Sequence, residues 1–286
     1  FSRIDLDAFG RQFAAMNWWW FGLGLLMFLP VYMIRAARFR YLMSGAFSHA
    51  DAIKMILASG ALNMILPSKG GELAKGFFIR RHMETDLKTS FSAVILERIM
   101  DVLALVMVMF GGLFLFSDDS ALAAGAWTGG FVVLFCVAIY FYLNLRNPDA
   151  RGFLSSVRRI PKLADFLNSS AVFVRDIFNS GKFPLLSFQS ITLWLVHIFQ
   201  FYCFFLALGF QGPPLSILAY TPAAIFIGLL PITVAGIGTR DLALIAFFTP
   251  LASAELVAGV AILSHLRYIL PALVGIPFMR KYLKDS

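Results

Sequence analysis

Long continuous runs of hydrophobic residues, separated by short polar or basic stretches, dominate this sequence. A helix that crosses a membrane needs about 20 predominantly apolar residues, and five runs approach or exceed that length. The predicted spans lie near Trp18–Met33, Phe91–Phe116, Ala121–Leu145, Phe183–Phe210 and Leu256–Phe278. The pattern predicts an all-α protein whose chain crosses the membrane five or six times.

Two further hydrophobic runs are shorter and share their ending. Residues Ala52–Pro67 and Leu215–Pro231 both end in Leu-Pro, followed by two closely spaced glycines and then by charged residues. The first has an apolar core of about a dozen residues, a length typical of re-entrant segments. We therefore predict two re-entrant helical hairpins. Basic loops flank the first hairpin and no basic loop flanks the second, so the two are predicted to enter from opposite sides of the membrane.

The prolines and glycines at these endings predict breaks in the helical backbone, because proline frees a carbonyl and glycine allows a turn. Irregular backbone is tolerated at membrane depth only where it is buried in protein or lines a water-filled cavity. The helix N-termini that follow, near Glu72 and Asp241, would favour an anionic headgroup. A surface loop with ordinary capping residues is the alternative. The predicted breaks are Pro67, Gly70, Gly71, Pro231, Gly236 and Gly238.

The order of these elements predicts an inverted repeat within one transmembrane domain, residues 1–286. Residues 1–120 contain a span, an inner hairpin and a span, and residues 183–286 contain a span, an outer hairpin and a span in the opposite orientation. Residues 121–182 form a connector with a further span and, after Pro161, an amphipathic helix predicted to lie in the membrane plane. Discontinuous helices in matching positions of two inverted halves point to a transporter binding site.

Composition and charge support the membrane assignment. Of 286 residues, 59% are hydrophobic and 14% are charged, whereas a soluble protein of this size has a charged exterior. The net charge of +8 arises from loops beside the apolar runs, which is the positive-inside pattern rather than a nucleic-acid-binding surface. It predicts a multi-pass protein of the cytoplasmic (inner) membrane with a cytoplasmic C-terminus. Because the sequence begins at Phe1 rather than Met, it leaves open whether another span precedes it.

Ionisable residues inside the predicted spans and hairpins are the candidates for function, because such residues are unfavourable in a membrane. Glu97, Arg98 and Asp101 lie within about one turn of a helix, and Arg267 lies near the middle of the last span. Asn63, one turn before the first Leu-Pro, would either cap the hairpin or contact a ligand. The candidates for headgroup binding or gating are Asn63, Glu72, Lys75, Glu97, Arg98, Asp101, Arg240, Asp241 and Arg267.

These candidates include four carboxylates and four cations, so a structural role is an alternative. Four ion pairs would then hold the two halves of the protein together. We favour headgroup contact or gating because buried ion pairs stabilise a protein poorly. The two roles are compatible.

Signals for metal or cofactor chemistry are weak. His197 and His265 are single polar residues on apolar helices without metal-binding spacing, and each is predicted to be a buried, hydrogen-bonded imidazole. Asp118 and Asp119 lack a second acidic cluster and indicate a solvated turn. We predict no metal and no cofactor, and without a P-loop any energy for transport would come from a gradient or mass action.

Several short patterns resemble the flippase-like transmembrane domain of lysylphosphatidylglycerol synthases. They are Arg35-x-x-Arg38-Phe39-x-x-Leu42, Asn63-x-x-Leu66-Pro67 with Gly71-Glu72, Glu97-Arg98-x-x-Asp101, and Pro231…Gly236-Ile237-Gly238-Thr239-Arg240-Asp241, with Asp241 where many relatives carry Glu. The resemblance covers nearly the whole chain and implies movement of a lipid headgroup across the bilayer. Fused relatives carry an aminoacyl-transferase domain, whereas this chain stops at Ser286. We therefore expect a stand-alone member, for which lysyl-lipid synthesis is not implied.

The leading functional hypothesis is a lipid flippase rather than an enzyme. It would move the headgroup of a phospholipid or polyprenyl-phosphate-linked lipid through a polar cavity between the two hairpins, while the acyl chains stay in the bilayer. The cations would contact phosphate, and the carboxylates would position the cations or bind a cationic headgroup.

An integral-membrane enzyme acting on phospholipid or polyprenyl substrates is the alternative hypothesis, although no nucleophile–base pair is evident. A non-transporting scaffold is the third hypothesis. The expected partners are membrane lipid and the bilayer, with no nucleic acid; homo-oligomerisation stays open.

Overall fold

A computed structural model of the protein describes residues 6–66, 70–84, 86–116, 129–130, 161–229, 233 and 236–284. Within these ranges the chain forms α-helices joined by turns, without a strand. In chain order the helices are α1 Leu6–Ala14, α2 Trp18–Leu26, α3 Phe28–Leu42, α4 His49–Ile65, α5 Gly70–Met83, α6 Leu87–Phe116, α7 Pro161–Asn179, α8 Phe183–Ala207, α9 Pro214–Gly228, α10 Thr239–Phe248 and α11 Ala254–Lys284.

Four helical segments in the described ranges are long and apolar enough to cross a membrane. They are Trp18–Leu42 (α2 and α3 together), Leu87–Phe116, Phe183–Ala207 and Ala254–Arg280. Each coincides with a predicted span. The remaining predicted span, Ala121–Leu145, lies outside the described residues, as do Asp118 and Asp119. The prediction of an all-helical, polytopic membrane protein is confirmed.

The two shorter apolar runs form pairs of short helices. The first hairpin consists of α4 and α5, which pack against each other, and the second consists of α9 and α10, which do the same. Helices α9 and α10 contain 15 and 10 residues, so they are roughly 22 and 15 Å long at 1.5 Å per residue. Both are shorter than a hydrocarbon core of about 30 Å. Entry of the hairpins from opposite membrane faces stays a prediction.

The second hairpin turns at glycine, as its sequence predicts. Gly236 and Gly238 have φ angles of +74° and +94°, a backbone region in which a side chain is strained. The backbone N–H of Gly238 donates to Oδ2 of Asp241 at 2.9 Å, which caps the start of α10. The predicted break at Pro231 lies outside the described residues.

The first hairpin uses its glycines differently from the prediction. Gly70 and Gly71 are the first residues of α5 and do not have positive φ angles. A Cβ on Gly71 would clash with the carbonyl oxygen of Ser59, and the Ser59 hydroxyl donates to the Gly71 carbonyl at 2.7 Å. Gly71 therefore permits close approach of α4 and α5 rather than a turn. The predicted break at Pro67 lies outside the described ranges.

The first arm of each hairpin packs mainly against the other half of the protein. Helix α4 lies along α11, and α9 lies along α6. Glycines permit both contacts, because a Cβ on Gly275 would clash with the Leu57 carbonyl and one on Gly112 with the Leu218 carbonyl. The second arms stay with their own halves, α5 on α6 and α10 on α11. Each half of the protein thus packs the first arm of its hairpin against the other half, an arrangement we call the exchange of first hairpin arms.

The amphipathic helix of the connector packs partly against protein. Helix α7 begins at Pro161, as predicted, and contacts α6. Val174 and Ile177 are buried in the apolar cluster around α3 and α4, and the hydroxyls of Ser92 and Ser170 are 2.8 Å apart. At least this part of its apolar face is therefore covered by the bundle rather than by the membrane surface.

Two large apolar clusters and a smaller one between α6 and α9 form the interior of the described part of the protein. One, around α3 and α4, includes the buried Ala36 and Phe39. The other, around α8, α9, α10 and α11, includes Phe201, Phe204 and Phe248. The polar residues of the candidate site border both clusters.

Candidate functional site

The first half contains a buried ionic network centred on α6. Glu97 and Asp101 are one turn apart on that helix, so both reach the Arg38 guanidinium of α3. Arg38 Nη2 lies 3.0 Å from Glu97 Oε1, and its Nη1 donates to Asp101 and, at 2.9 Å, to the Ser190 hydroxyl of α8. Arg38 is only 1% exposed, and carboxylates are the main partners of its two terminal nitrogens, whereas its Nε has no hydrogen-bond partner among the described residues.

Lys75 of α5 is the second cation of this network. Its ammonium group pairs with the other Glu97 oxygen, Oε2, and lies 4.4 Å from the centre of the Phe39 ring. Both Lys75 and Glu97 are 2% exposed. Lys75 borders a small cavity of about 20 Å³ beside Glu72 and Arg98.

Arg98 connects the network to the first hairpin. Its Nη2 lies 3.4 Å from both Glu72 Oε2 and Asp101 Oδ2, and 31% of its side chain is exposed. Asn63 of α4 donates to Glu72 Oε1 at 3.3 Å. Asn63 therefore ties the two arms together rather than capping α4, and its own Oδ1 has no hydrogen-bond partner among the described residues.

The second half contains a smaller network around Asp241 of α10. Its Oδ1 is 3.1 Å from Arg240 Nη2, and its Oδ2 is 3.0 Å from His265 Nε2 on α11. The Tyr268 hydroxyl accepts from Arg240 at 3.4 Å and from Arg267 at 2.8 Å. The Arg267 guanidinium also lies 4.8 Å from the centre of the Phe201 ring. The Phe201 ring and the Tyr268 hydroxyl, rather than a carboxylate, therefore hold the Arg267 side chain in place.

A cavity of about 300 Å³ lies between the two hairpins and is lined by residues of both halves. The first half contributes residues of α3, the end of α4, the start of α5 and the middle of α6. The second contributes the middle of α8, the end of α9, the start of α10 and the middle of α11. Its polar lining consists of Tyr32, Arg35, Asn63, Glu72, Arg98, Asp101, His197, Gln200, Arg240, Arg267 and Tyr268. Apolar side chains such as Phe28, Val31, Val102, Trp194 and Ile225 complete the wall.

The structure divides the sequence-predicted site residues into two groups. Those that line the cavity are Asn63, Glu72, Arg98, Asp101, Gly236, Arg240 and Arg267. Lys75, Glu97 and Asp241 lie behind them and pair with other charged side chains. The geometry thus separates groups that can touch a ligand from groups that hold those groups in position.

The predicted set of four ion pairs between the two halves is wrong. Among the described residues, the ion pairs of Glu72, Glu97 and Asp101 join residues of the first half, and those of Asp241 join residues of the second. The reason is that Arg38, a cation of the first half that was not counted, pairs with Glu97 and Asp101. Arg267 consequently makes no ion pair with a carboxylate of the described residues.

Several site residues were missed at the sequence level. Arg38 and Arg35 follow the first apolar run and were assigned only to topology and to the family pattern, although their spacing places them about one turn apart. His265 is hydrogen-bonded, as predicted, but its partner is the site residue Asp241. His197 lines the cavity and contacts Gln200, but its buried Nδ1 has no partner in the described part of the chain, so the predicted buried imidazole is satisfied only in part. Tyr268 carried no sequence signal beyond its place next to Arg267.

Metal-binding side chains do not cluster in the described part of the chain. No group of three or more His, Cys, Asp or Glu residues there is arranged to hold a metal ion. Cys203, the cysteine among the described residues, is buried.

Membrane-spanning helices, two pairs of short helices and a polar cavity between them define a polytopic integral membrane protein with an internal polar cavity. The chain belongs to the family described as lysylphosphatidylglycerol synthase TM region, which it matches over residues 1–275. The resemblance found from the short sequence patterns is thereby confirmed, and the chain is a membrane domain of a family linked to lipid-related processes. It is also similar to a UPF0104 membrane protein of Methanocaldococcus jannaschii, with 23% identity over 195 residues covering 64% of this chain and 77% of the relative.

Proposed function

We propose that the protein is a lipid translocator that moves a phospholipid or lipid-linked headgroup through the cavity between the hairpins. The observation that carries this proposal is the composition of the cavity: charged side chains from both hairpins and both following helices face one space with partly apolar walls. Charged groups inside a membrane domain mark ligand and ion pathways. Transporter sites built from two broken helices have the same organisation.

The size of the cavity fits a headgroup better than a whole lipid. Small-molecule pockets range over roughly 300–1,000 Å³, and this cavity of about 300 Å³ is at the lower end. It would hold a phosphate with a few attached atoms while the acyl chains remain in the bilayer. Because the hairpin arms are short, opening one hairpin at a time would give the headgroup access to one membrane face at a time.

The residues have distinct proposed roles. Arg98, Arg240 and Arg267 line the cavity and would contact the phosphate. Lys75 was expected to do so too, but its ammonium group is buried against Glu97, so it would instead fix the position of the α6 carboxylates. Arg98 is the cation best suited to move during transport, since its contacts with Glu72 and Asp101 are both 3.4 Å long.

The proposed setting is the cytoplasmic membrane, with the C-terminus on the cytoplasmic side. Its support is the excess of Lys and Arg in the loops assigned to that side. No nucleotide-binding motif is present in the sequence, so the proposed energy source is a gradient or the lipid concentration difference itself.

Reconstitution tests the proposal. Liposomes containing the purified protein and a phospholipid labelled on one acyl chain are treated with a membrane-impermeant quencher, and the loss of fluorescence beyond one leaflet gives the transport rate. Wild-type protein should accelerate this loss, Arg98→Ala should slow it, and Arg81→Ala, which alters an exposed residue, should not. Wild-type liposomes that behave like protein-free ones would overturn the proposed function.

The same liposomes distinguish the enzymatic alternative. Lipids extracted after the assay and separated by chromatography should be unchanged. A new lipid species that requires the protein, and that disappears in Glu72→Gln, would identify an enzyme acting on phospholipid instead of a translocator.

A further inference from the structure

We infer that the cavity selects headgroups whose net charge is negative, with phosphate as the recognised group, over zwitterionic and cationic headgroups. This inference rests on the proposed function and specifies its substrate class. It follows from the balance of charges around the cavity, from the cations that lack carboxylate partners, and from the carboxylates that already have cationic partners.

The described residues in and behind the cavity wall carry more positive than negative charge. The cations are Arg35, Arg38, Lys75, Arg98, Arg240 and Arg267, and the carboxylates are Glu72, Glu97, Asp101 and Asp241. Six basic side chains therefore face four carboxylates, an excess of two positive charges when all are ionised. Uncompensated charge is unfavourable in a low-dielectric interior, so an anion entering the cavity would be stabilised.

The excess can be assigned to two arginines. Among the described residues, Arg35 and Arg267 make no ion pair, whereas Arg38, Lys75, Arg98 and Arg240 each have at least one carboxylate partner. Arg35 lies over the Tyr32 ring at 5.8 Å. Arg267 lies over Phe201 and Tyr268 at 4.8 and 5.0 Å. Aromatic rings support a cation without neutralising its charge.

Arg267 is the stronger anchor of the two because it is buried and only partly satisfied. It is 7% exposed, its Nη2 donates to Tyr268, and its Nε and Nη1 have no partner in the described residues. A buried charged donor without an acceptor is costly and rare in native proteins. A phosphate in the cavity that Arg267 lines would supply the missing acceptors after a small side-chain rotation, through the bidentate geometry that guanidinium favours.

The cations also repel one another across the cavity. The guanidinium groups of Arg240 and Arg267 lie 5.6 and 5.0 Å from the centre of the same Tyr268 ring, so the two cations are neighbours. Arg35, Arg240 and Arg267 all line the same cavity. Like charges held at short range in a membrane interior are relieved by a bound anion.

A cationic group finds no equivalent site. The two carboxylates in the lining, Glu72 and Asp101, are both shared with Arg98, and Asp101 also pairs with Arg38. The aromatic faces of Tyr32 and Tyr268 are already occupied by arginines, so they do not form an open cage for a quaternary amine. An ammonium group would enter a region that already has excess positive charge, and like-charge contact opposes binding.

Lipids with identical acyl chains test this selectivity. The transport assay described above is repeated with acyl-labelled phosphatidylglycerol, phosphatidylethanolamine and phosphatidylcholine. We expect phosphatidylglycerol to move at least about tenfold faster than phosphatidylcholine, equivalent to about 1.4 kcal/mol. Arg267→Gln and Arg35→Gln should each reduce this ratio toward one, whereas Arg267→Lys, which keeps the charge, should retain most of it, and Arg81→Gln should leave it unchanged.

The outcomes separate this inference from the proposed function. Equal rates for all three lipids, or faster movement of the zwitterionic ones, would overturn the inference while leaving translocation intact. If no lipid moves, the proposed function fails, and anion recognition is then measured directly by thermal unfolding of the purified protein in detergent with water-soluble short-chain phosphatidylglycerol, short-chain phosphatidylcholine or inorganic phosphate.

The binding measurement also identifies the source of the phosphate. Stabilisation by short-chain phosphatidylglycerol but not phosphatidylcholine, lost in Arg267→Gln, supports a lipid headgroup. Equal stabilisation by inorganic phosphate supports the anion site but assigns it to a free phosphate rather than a lipid. Absence of stabilisation by both anions would overturn the inference.

Discussion

His265 Nε2 lies 3.0 Å from Oδ2 of Asp241, which joins the start of α10 to the helix that follows it. The first half has the same arrangement, because Glu72 near the start of α5 lies 3.4 Å from Arg98 on α6. In both halves a carboxylate at the start of the second hairpin arm therefore meets a basic side chain of the next span. One half uses a guanidinium group and the other an imidazole, so the two contacts match in position but differ in chemistry.

The first prediction concerns Asp241. Asp241→Ala removes the contacts to Arg240 and His265 together with the cap on the Gly238 N–H. Because it leaves Arg240 buried without a carboxylate, we expect a loss of about 3–5 kcal/mol of stability. Asp241→Asn keeps an acceptor for Gly238 and should lose less. Thermal unfolding in detergent measures both, and an Asn variant as unstable as the Ala variant would show that the cap does not contribute.

The second prediction concerns Arg38, which sequence reasoning assigned only to topology. Arg38→Met leaves Asp101 with the long Arg98 contact as its remaining ion pair, and leaves Glu97 dependent on Lys75. We expect a loss of about 3–5 kcal/mol. Arg38→Lys should recover only part of it, since an ammonium group cannot reproduce the forked contacts to Glu97, Asp101 and Ser190. Arg81→Met is the matched control, and a loss no larger than in that control would contradict the buried network.

The third prediction uses two adjacent glycines of α6. A Cβ on Gly112 would clash with the Leu218 carbonyl of α9, whereas one on Gly111 meets no atom of the described residues within 4 Å. Gly112→Ala should therefore destabilise the protein by about 1–3 kcal/mol through overpacking. Gly111→Ala should be neutral or slightly stabilising, because alanine favours helix. Equal unfolding temperatures for the two variants would contradict the close packing of α6 and α9.

The fourth prediction is a double-mutant cycle on Lys75 and Glu97. Each single change, Lys75→Met or Glu97→Gln, leaves a buried charge with fewer partners, so each should destabilise the protein. Combined, they should destabilise it less than the sum of the two, with a coupling of about 0.5–3 kcal/mol. Strict additivity would show that the contact between the two side chains does not form in the membrane protein.

Sequence reasoning located the framework of the molecule well. The lengths of the apolar runs gave the spans that fall within the described residues, and the two Leu-Pro endings gave the short helix pairs. Both inferences depend on hydrophobic length and on the local chemistry of proline and glycine, which tertiary structure changes little. The role of Gly71 was missed because close approach between two helices is a property of packing and has no local signal.

The pairing of charges could not be predicted for a related reason. The sequence-level count of carboxylates and cations was balanced only because it left out Arg38 and Arg35. These two were left out because basic residues after an apolar run usually mark its cytoplasmic end. Which carboxylate meets which cation depends on how α3, α5 and α6 are rotated against one another. That rotation is fixed by apolar contacts such as those of Ala36 and Ile79, and no feature of the charged residues themselves encodes it.

The exchange of first hairpin arms has a consequence for how the protein is made. Helix α4 ends at Ile65, but the helix it packs along, α11, begins only at Ala254. During synthesis α4 and α5 are therefore complete long before the surface that α4 packs against exists, and their polar residues must be tolerated by the insertion machinery or by lipid until α11 arrives. Assembly of the bundle requires α11, and a chain truncated before Ala254 would leave α4 without its main packing surface and expose the protein to quality-control proteolysis.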